Sequence, residues 1–163
     1  MIRPMERADI PRVAEIHTFA RRVAYRGAVP DGFLFGDQNS VQTRAKAFAD
    51  EFGKNGRAGF VWDDGIIRGF LIVAPTGEDL ELERIFVDPL MFGEGLGRKL
   101  SAFCDEYAKQ KGLKQIYLWV LEANHSARGF YENVGYRMGS SRTDQMGEAT
   151  PMVRYVKDVK VYD

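Results

Sequence analysis

Cysteine occurs once in the 163 residues, as Cys104, so no internal disulfide framework is available. A single thiol fits a reducing compartment. Cys104 stands beside an apolar helical stripe and reads as a small core residue, not a nucleophile. Histidine occurs only as His17 and His125, and neither has neighbours that suggest a metal. His17 falls near an apolar stripe, as a packed or half-exposed residue does. The formal net charge is zero, from 23 basic and 23 acidic residues, so no global field favours nucleic acid or an anionic membrane. No apolar run is long enough to cross a bilayer, and the first residues lack the pattern of a secretory leader. A cytoplasmic location is therefore expected. On that expectation the glycosylation-like triplet Asn124-His125-Ser126 carries no meaning.

What is present is an ordinary globular composition, 45% hydrophobic and 28% charged. It suits one domain over residues 1–163 with a core that needs no staples.

The stretch Glu81–Lys99 organises the rest. Leu82, Ile85, Phe86 and Val87 form a short apolar run that suits a buried strand. Asp88-Pro89 ends it. Gly93, Gly95 and Gly97 follow in alternation, and from Leu96 the period becomes helical. Leu96, Leu100, Phe103 and Tyr107 lie on one stripe, with Arg98, Ser101, Asp105 and Lys109 expected to face away. Unpaired N–H groups at a glycine-rich helix start form a site for phosphate or pyrophosphate. The spacing fails the P-loop, which needs a different register to its Lys-Ser or Lys-Thr pair. It also fails the dinucleotide fingerprint, because Arg98 stands where the third glycine belongs. A tight strand-to-helix turn is the plainer alternative, but that needs one or two glycines, not three.

In chain order, Met1–Arg3 reads as a short strand. Asp9 is expected to cap a helix with Pro11 in its first turn. Ile10, Val13, Ile16, Ala20 and Val23 carry that helix to about Tyr25. A turn-rich run ends it, and Phe33-Leu34-Phe35 reads as a short helix, a lid or a packed loop. A second helix spans Val41 to Phe52. Asp63-Asp64-Gly65 between apolar runs is a hairpin signal. Pro75-Thr76-Gly77 is expected to turn the chain into the Glu81–Val87 strand. Gln115–Leu121 alternates as a strand, a helix follows from about Asn124 to Val134, and Tyr136–Ser140 and Met152–Val156 close the fold as strands. The expected class is α/β (α+β), a mixed, mostly antiparallel sheet flanked by helices.

Two motifs carry a family likeness. Gly95-Leu96-Gly97-Arg98, after a strand and before a helix, resembles the coenzyme A loop of the GNAT superfamily of N-acetyltransferases. Phe92 departs from it, standing where glutamine or arginine is usual. Asn124-x-x-Ala127-x-x-Phe130-Tyr131-Glu132-x-x-Gly135-Tyr136 resembles the second GNAT motif at every fixed position. The resemblance covers nearly the whole chain and extends, less specifically, to Asp9 and the Ala24–Asp31 run. It implies acetyl-CoA as cosubstrate, no metal, and a splayed parallel strand pair holding the coenzyme. The loop Phe92, Gly93, Glu94, Gly95, Leu96, Gly97 and Arg98 would bind it together with Asn124, Ala127 and Tyr131. The backbone of Ile85, Phe86 and Val87 would line the pantetheine arm and the acetyl group. The Tyr131 hydroxyl would protonate the leaving thiolate.

The expected activity is acetyl transfer to a primary amine by direct attack. Glu81 and Glu83 are the candidate bases, expected on the same strand face as Ile85 and Val87. A glutamate on the next strand, used elsewhere in the family, is replaced by Trp119. Both glutamates can also be read as a solvated strand edge. A small-molecule acceptor is favoured over a protein N-terminus or lysine, with a non-catalytic acyl-CoA sensor as the alternative. No nucleic-acid or membrane partner is expected, and a homodimer is left open.

Overall fold

The computed structural model describes residues 1–161. Alternating apolar residues give the central strands two hydrophobic sides, and the chain covers both. Among the described residues, seven strands form one sheet in the order β1-β2-β3-β4-β5-β7-β6. They are β1 (Ile2–Pro4), β2 (Ala58–Asp63), β3 (Ile67–Thr76), β4 (Asp79–Val87), β5 (Gln115–Leu121), β6 (Arg137–Gln145) and β7 (Ala149–Asp158). Neighbouring strands run antiparallel except β4 and β5, which are parallel. The helices are α1 (Ile10–Tyr25), α2 (Asp31–Leu34), α3 (Val41–Glu51), α4 (Leu96–Gln110) and α5 (His125–Asn133).

One face of the sheet packs on α4, through Leu80, Leu82, Leu100, Cys104, Leu118 and Tyr155. The other packs on α1 and α3, through Val13, Ile16, Phe48, Phe70 and Ile72. A smaller cluster of Val29, Leu34, Leu121 and Met152 ties α2 to the ends of β5 and β7. Cys104 is fully buried, and burial pushes its thiol up to about 12, as befits a packing residue.

Several expectations need correction. Asp9 precedes α1 but its carboxylate does not cap it. It accepts from the Arg3 guanidinium at 2.8 and 2.9 Å and from the Glu6 N–H at 2.8 Å, tying the chain start to the helix. Val23 is exposed, while His17 is buried in its place. Ser101 is buried rather than facing away, and Asp105 is held by Lys157 at 2.6 Å, because α4 is covered by more of the fold than one stripe requires. Pro75 and Thr76 belong to β3, paired with Leu80 and Asp79, and Gly77 turns the chain with φ +63°. β2 begins opposite Val73, so at Pro75 one side of β3 has no paired strand, the edge setting in which proline is tolerated. The last two strands are longer than the apolar pattern indicates. β6 is exposed along most of its length, so its residues carry little hydrophobic signal.

Candidate active site

The parallel pairing of β4 and β5 is short. It comprises Asp79 with Gln115, Leu80 with Ile116, and Glu81 with Tyr117. Beyond Glu81 the strands part, so the β5-facing edge of Ile85, Phe86 and Val87 has no strand partner among the described residues. Their other edge is bonded to β3 through Leu71, Phe70 and Gly69. An unpaired strand edge inside a fold is a row of donors and acceptors awaiting a ligand.

The bend that opens this gap is a bulge. Ile72 faces Arg84 and Val73 faces Leu82, which leaves Glu83 as the extra residue. The bulge shifts the alternation by one. Leu80, Leu82, Ile85 and Val87 all pack on the α4 side, while Glu81, Arg84 and Phe86 share the α1 side. The expectation that Glu81 and Glu83 share a face with Ile85 and Val87 is therefore overturned. Strict period-2 counting cannot register an inserted residue.

The two glutamates differ in setting. The Glu83 carboxylate accepts from Arg57 Nε at 2.8 Å, with Arg84 at 3.8 Å. Glu81 has no such cation; Tyr117 Oη lies 3.4 Å from its Oε2. Burial, and then the charge of Glu83, push the Glu81 carboxyl above its usual range. Trp119 stands further along β5, with the Arg142 guanidinium 4.1 Å from its ring centre.

The glycine loop has two kinds of glycine. Gly93 and Gly95 have φ of +85° and +74°, and a side chain at either would meet only open space. Their task is to shape a left-handed backbone at the start of α4 and keep it bare. Gly97 is different: a Cβ there would stand 3.3 Å from Phe130, so it lets α4 approach α5. Leu96 is buried, and Arg98 is exposed with no ion pair among the described residues. Phe92 is 57% exposed and Glu94 leans toward Arg68 at 3.8 Å.

On α5, Asn124 Oδ1 accepts the Ala127 N–H at 3.2 Å, so the residue caps its helix and its amide NH2 is left for a ligand. Ala127 and Tyr131 pack against the α4-side cluster that also holds Ile85, Val87 and Leu118. The Tyr131 ring lies 5.7 Å from Tyr136 and 6.2 Å from Tyr155. Its hydroxyl is pushed up by burial and by the nearby Tyr25 on α1. Tyr131 thus packs with one side of the sheet and approaches a residue of the other, as a side chain beside the split does.

Residues 29–136 match the model of the acetyltransferase (GNAT) family. The chain belongs to this family. An N-acetyltransferase of Bacillus subtilis, YuaI, is 30% identical over 133 residues, covering 77% of this chain and 73% of that protein. An N-acetyltransferase of Methanocaldococcus jannaschii is 41% identical over 59 residues, which span only 26% of its length and 36% of this chain. A crystal structure of the PaiA N-acetyltransferase of Thermoplasma acidophilum in complex with coenzyme A superposes with a TM-score of 0.76 at 18% identity, covering 97% of this chain and 98% of that one. The ribosomal-protein-S18-alanine N-acetyltransferase of Escherichia coli superposes at 0.73 with 22% identity, over 100% and 96% of the two chains. The GNAT fold expected from the two motifs is the fold observed.

Sequence reading missed three residues on the α1 side of this GNAT chain: Arg21, Arg44 and Arg84. Arg21 follows His17 by four residues, and that spacing alone places them on one helix face. No local pattern connects α1 to Arg44 on α3 or to Arg84 beyond the bulge.

Proposed function

We propose that this chain, acting as a single domain, is an N-acetyltransferase that uses acetyl-CoA to acetylate a primary amine by direct attack. The observation that carries this is the split between β4 and β5, with a bare glycine loop at one end and Tyr131 beside it. The residues present fit the coenzyme. Backbone N–H groups at the α4 start and the Arg98 side chain would hold its phosphates. The free edge of Ile85, Phe86 and Val87 would pair with the amide-bearing arm, and the Asn124 amide would reach it from α5. When bound, acetyl-CoA supplies a thioester carbonyl open to attack.

The chain's own groups would manage the protons. An alkylammonium with pKa near 10 takes roughly 4 kcal/mol to deprotonate at pH 7. Glu81 is the better base of the two glutamates. It stands where β4 and β5 part, its carboxyl is shifted upward by burial, and no guanidinium occupies it. Glu83 is committed to Arg57 and serves the bulge. Tyr131, neutral across the working range, would donate to the departing sulfur. A small amine is the acceptor we favour. Relatives are named for both kinds of acceptor, a streptothricin acetyltransferase of Streptomyces lavendulae and a ribosomal protein bS18-alanine N-acetyltransferase of Bacillus subtilis among them.

The test is thiol release from acetyl-CoA with a panel of amines, beside calorimetric titration of CoA. Binding with amine-dependent release supports the proposal. Binding without release for any amine would make the chain a sensor, and absence of binding would remove the coenzyme altogether.

A further inference from the structure

We infer that the acceptor amine also carries a carboxylate, held by the guanidinium groups of Arg21, Arg44 and Arg84 where α1, α3 and β4 meet. The inference rests on the acetyltransferase reading and adds its substrate class.

The charges of all three arginines act on one buried ring, His17. The Arg84 guanidinium lies 5.0 Å from the Phe48 ring centre, and the His17 ring is 5.2 Å from the same ring. Arg44 precedes Phe48 by four residues on α3, and Arg21 follows His17 by four on α1, so both sit on the helix faces that meet there.

Positive charge exceeds negative at this seam. Arg84 bonds Glu51 at 3.2 Å and stands 3.8 Å from Glu83, which Arg57 also holds. Arg21 donates to two neutral side chains, Asn39 at 3.1 Å and Tyr25, whose ring centre lies 5.3 Å from its guanidinium, and it has no carboxylate partner among the described residues. Arg44 has no ion pair among the described residues, and its Nε is buried without a hydrogen-bond partner. His17 is 5% exposed and its Nδ1 is likewise unpartnered. Burial first, then the charges of Arg21, Arg84 and Arg44, hold that imidazole well below its ordinary value, so it adds no counter-charge and no further cation. Half-buried cations without a carboxylate partner, as Arg21 and Arg44 are, are costly, and an anion bound beside them relieves that cost. The planar guanidinium fork matches the two oxygens of a carboxylate.

The position suits a substrate. Arg84 and Glu81 share a face of β4 as successive neighbours, and such neighbours stand about 7 Å apart. That is the scale of one amino acid, with its amine toward Glu81 and its carboxylate toward the arginines. Phe86, whose backbone edge borders the split, has its ring 5.0 Å from His17. Tyr25 links Arg21 to the neighbourhood of Tyr131.

The test is calorimetric titration of the CoA-loaded protein with the common L-amino acids, their amides and aminoethyl phosphate. At least one acid should bind about ten-fold or more tighter than its amide, the loss expected when a charge-assisted contact is removed. Arg44→Gln should bring that acid within three-fold of its amide while CoA affinity stays unchanged, and Arg44→Lys should restore part of the preference. Equal binding of acids and amides, binding of neither, a preference that survives Arg44→Gln, or tighter binding of the phosphate would each overturn the inference. Thiol release is followed in parallel. Selective acid binding without release would refute the transferase and leave the carboxylate site standing.

Discussion

Tyr131 and Glu81 are assigned opposite errands for a proton, and their variants should therefore respond differently to pH. Tyr131→Phe keeps the ring among Tyr136 and Tyr155 and removes only the hydroxyl. Turnover should fall, within the roughly 100- to 10,000-fold range of general acid catalysis, and remain low at every pH, with acetyl-CoA affinity unchanged. Full activity would make Tyr131 a packing residue. Glu81→Gln should lose activity near neutrality and recover much of it in alkali, where the amine is already neutral. In the unaltered protein Glu81 must be ionised to accept a proton. Its carboxyl is shifted above the ordinary 4.5, so the acid limb of the pH–rate profile should lie above that value and vanish in Glu81→Gln. An unchanged limb would exclude Glu81 as the base. The helix that carries Tyr131 was legible in the sequence, because a helical motif keeps its spacing whatever it packs on. The choice between Glu81 and Glu83 was not, because the partner that occupies Glu83 is Arg57, 26 residues away.

At the scale of elements, β4 and the loop after it would form the proposed site together. The bulge at Glu83 parts β4 from β5, and the positive φ of Gly95 sets the first N–H groups of α4. Gly95→Val forces a branched side chain into the left-handed region, where roughly 1–2 kcal/mol of strain favours another backbone. Calorimetry should show CoA affinity falling at least ten-fold while the melting curve stays cooperative. Unchanged affinity would remove this loop from the site. Gly69→Ala acts from the far side of β4. Its Cβ would stand 2.9 Å from the Phe86 carbonyl oxygen and 3.2 Å from Leu100. Backbone must yield, so we expect a loss of about 1–3 kcal/mol in denaturant unfolding together with weaker acetyl-CoA binding. Stability lost with affinity intact would show that the β4 edge is not read by the coenzyme.

For the molecule as a whole, the chain start is fastened by charge. Arg3 holds both Asp9 and Asp63, and the bond from Arg3, the leading cause, holds the Asp9 carboxyl below its ordinary 3.8. The folded state therefore binds this proton more weakly than the unfolded chain does. The pair's contribution is complete above about pH 4 and is lost as pH falls through the lowered value. Melting temperatures of the unaltered protein and of Asp9→Asn should differ at pH 6 and converge below pH 4; a constant gap would show that Asp9 acts through packing alone. By itself the sequence determined what depends on near neighbours: the strand and helix periods, the Asp-Gly hairpin, the glycine loop and the spacing of the Asn124–Tyr136 motif. These suffice for the element order and the family, since each is a local repeat or a backbone requirement written into a few adjacent residues. Tertiary structure alone decided which side of β4 each glutamate faces, because the bulge shifts every later residue. It also decided that Ser101 is buried, that β6 is a mostly exposed strand, and that the charges of Arg21, Arg44 and Arg84 all act on His17. Those outcomes depend on groups brought together from α1, α3 and β4, and local periodicity holds no information about charges that only packing makes neighbours.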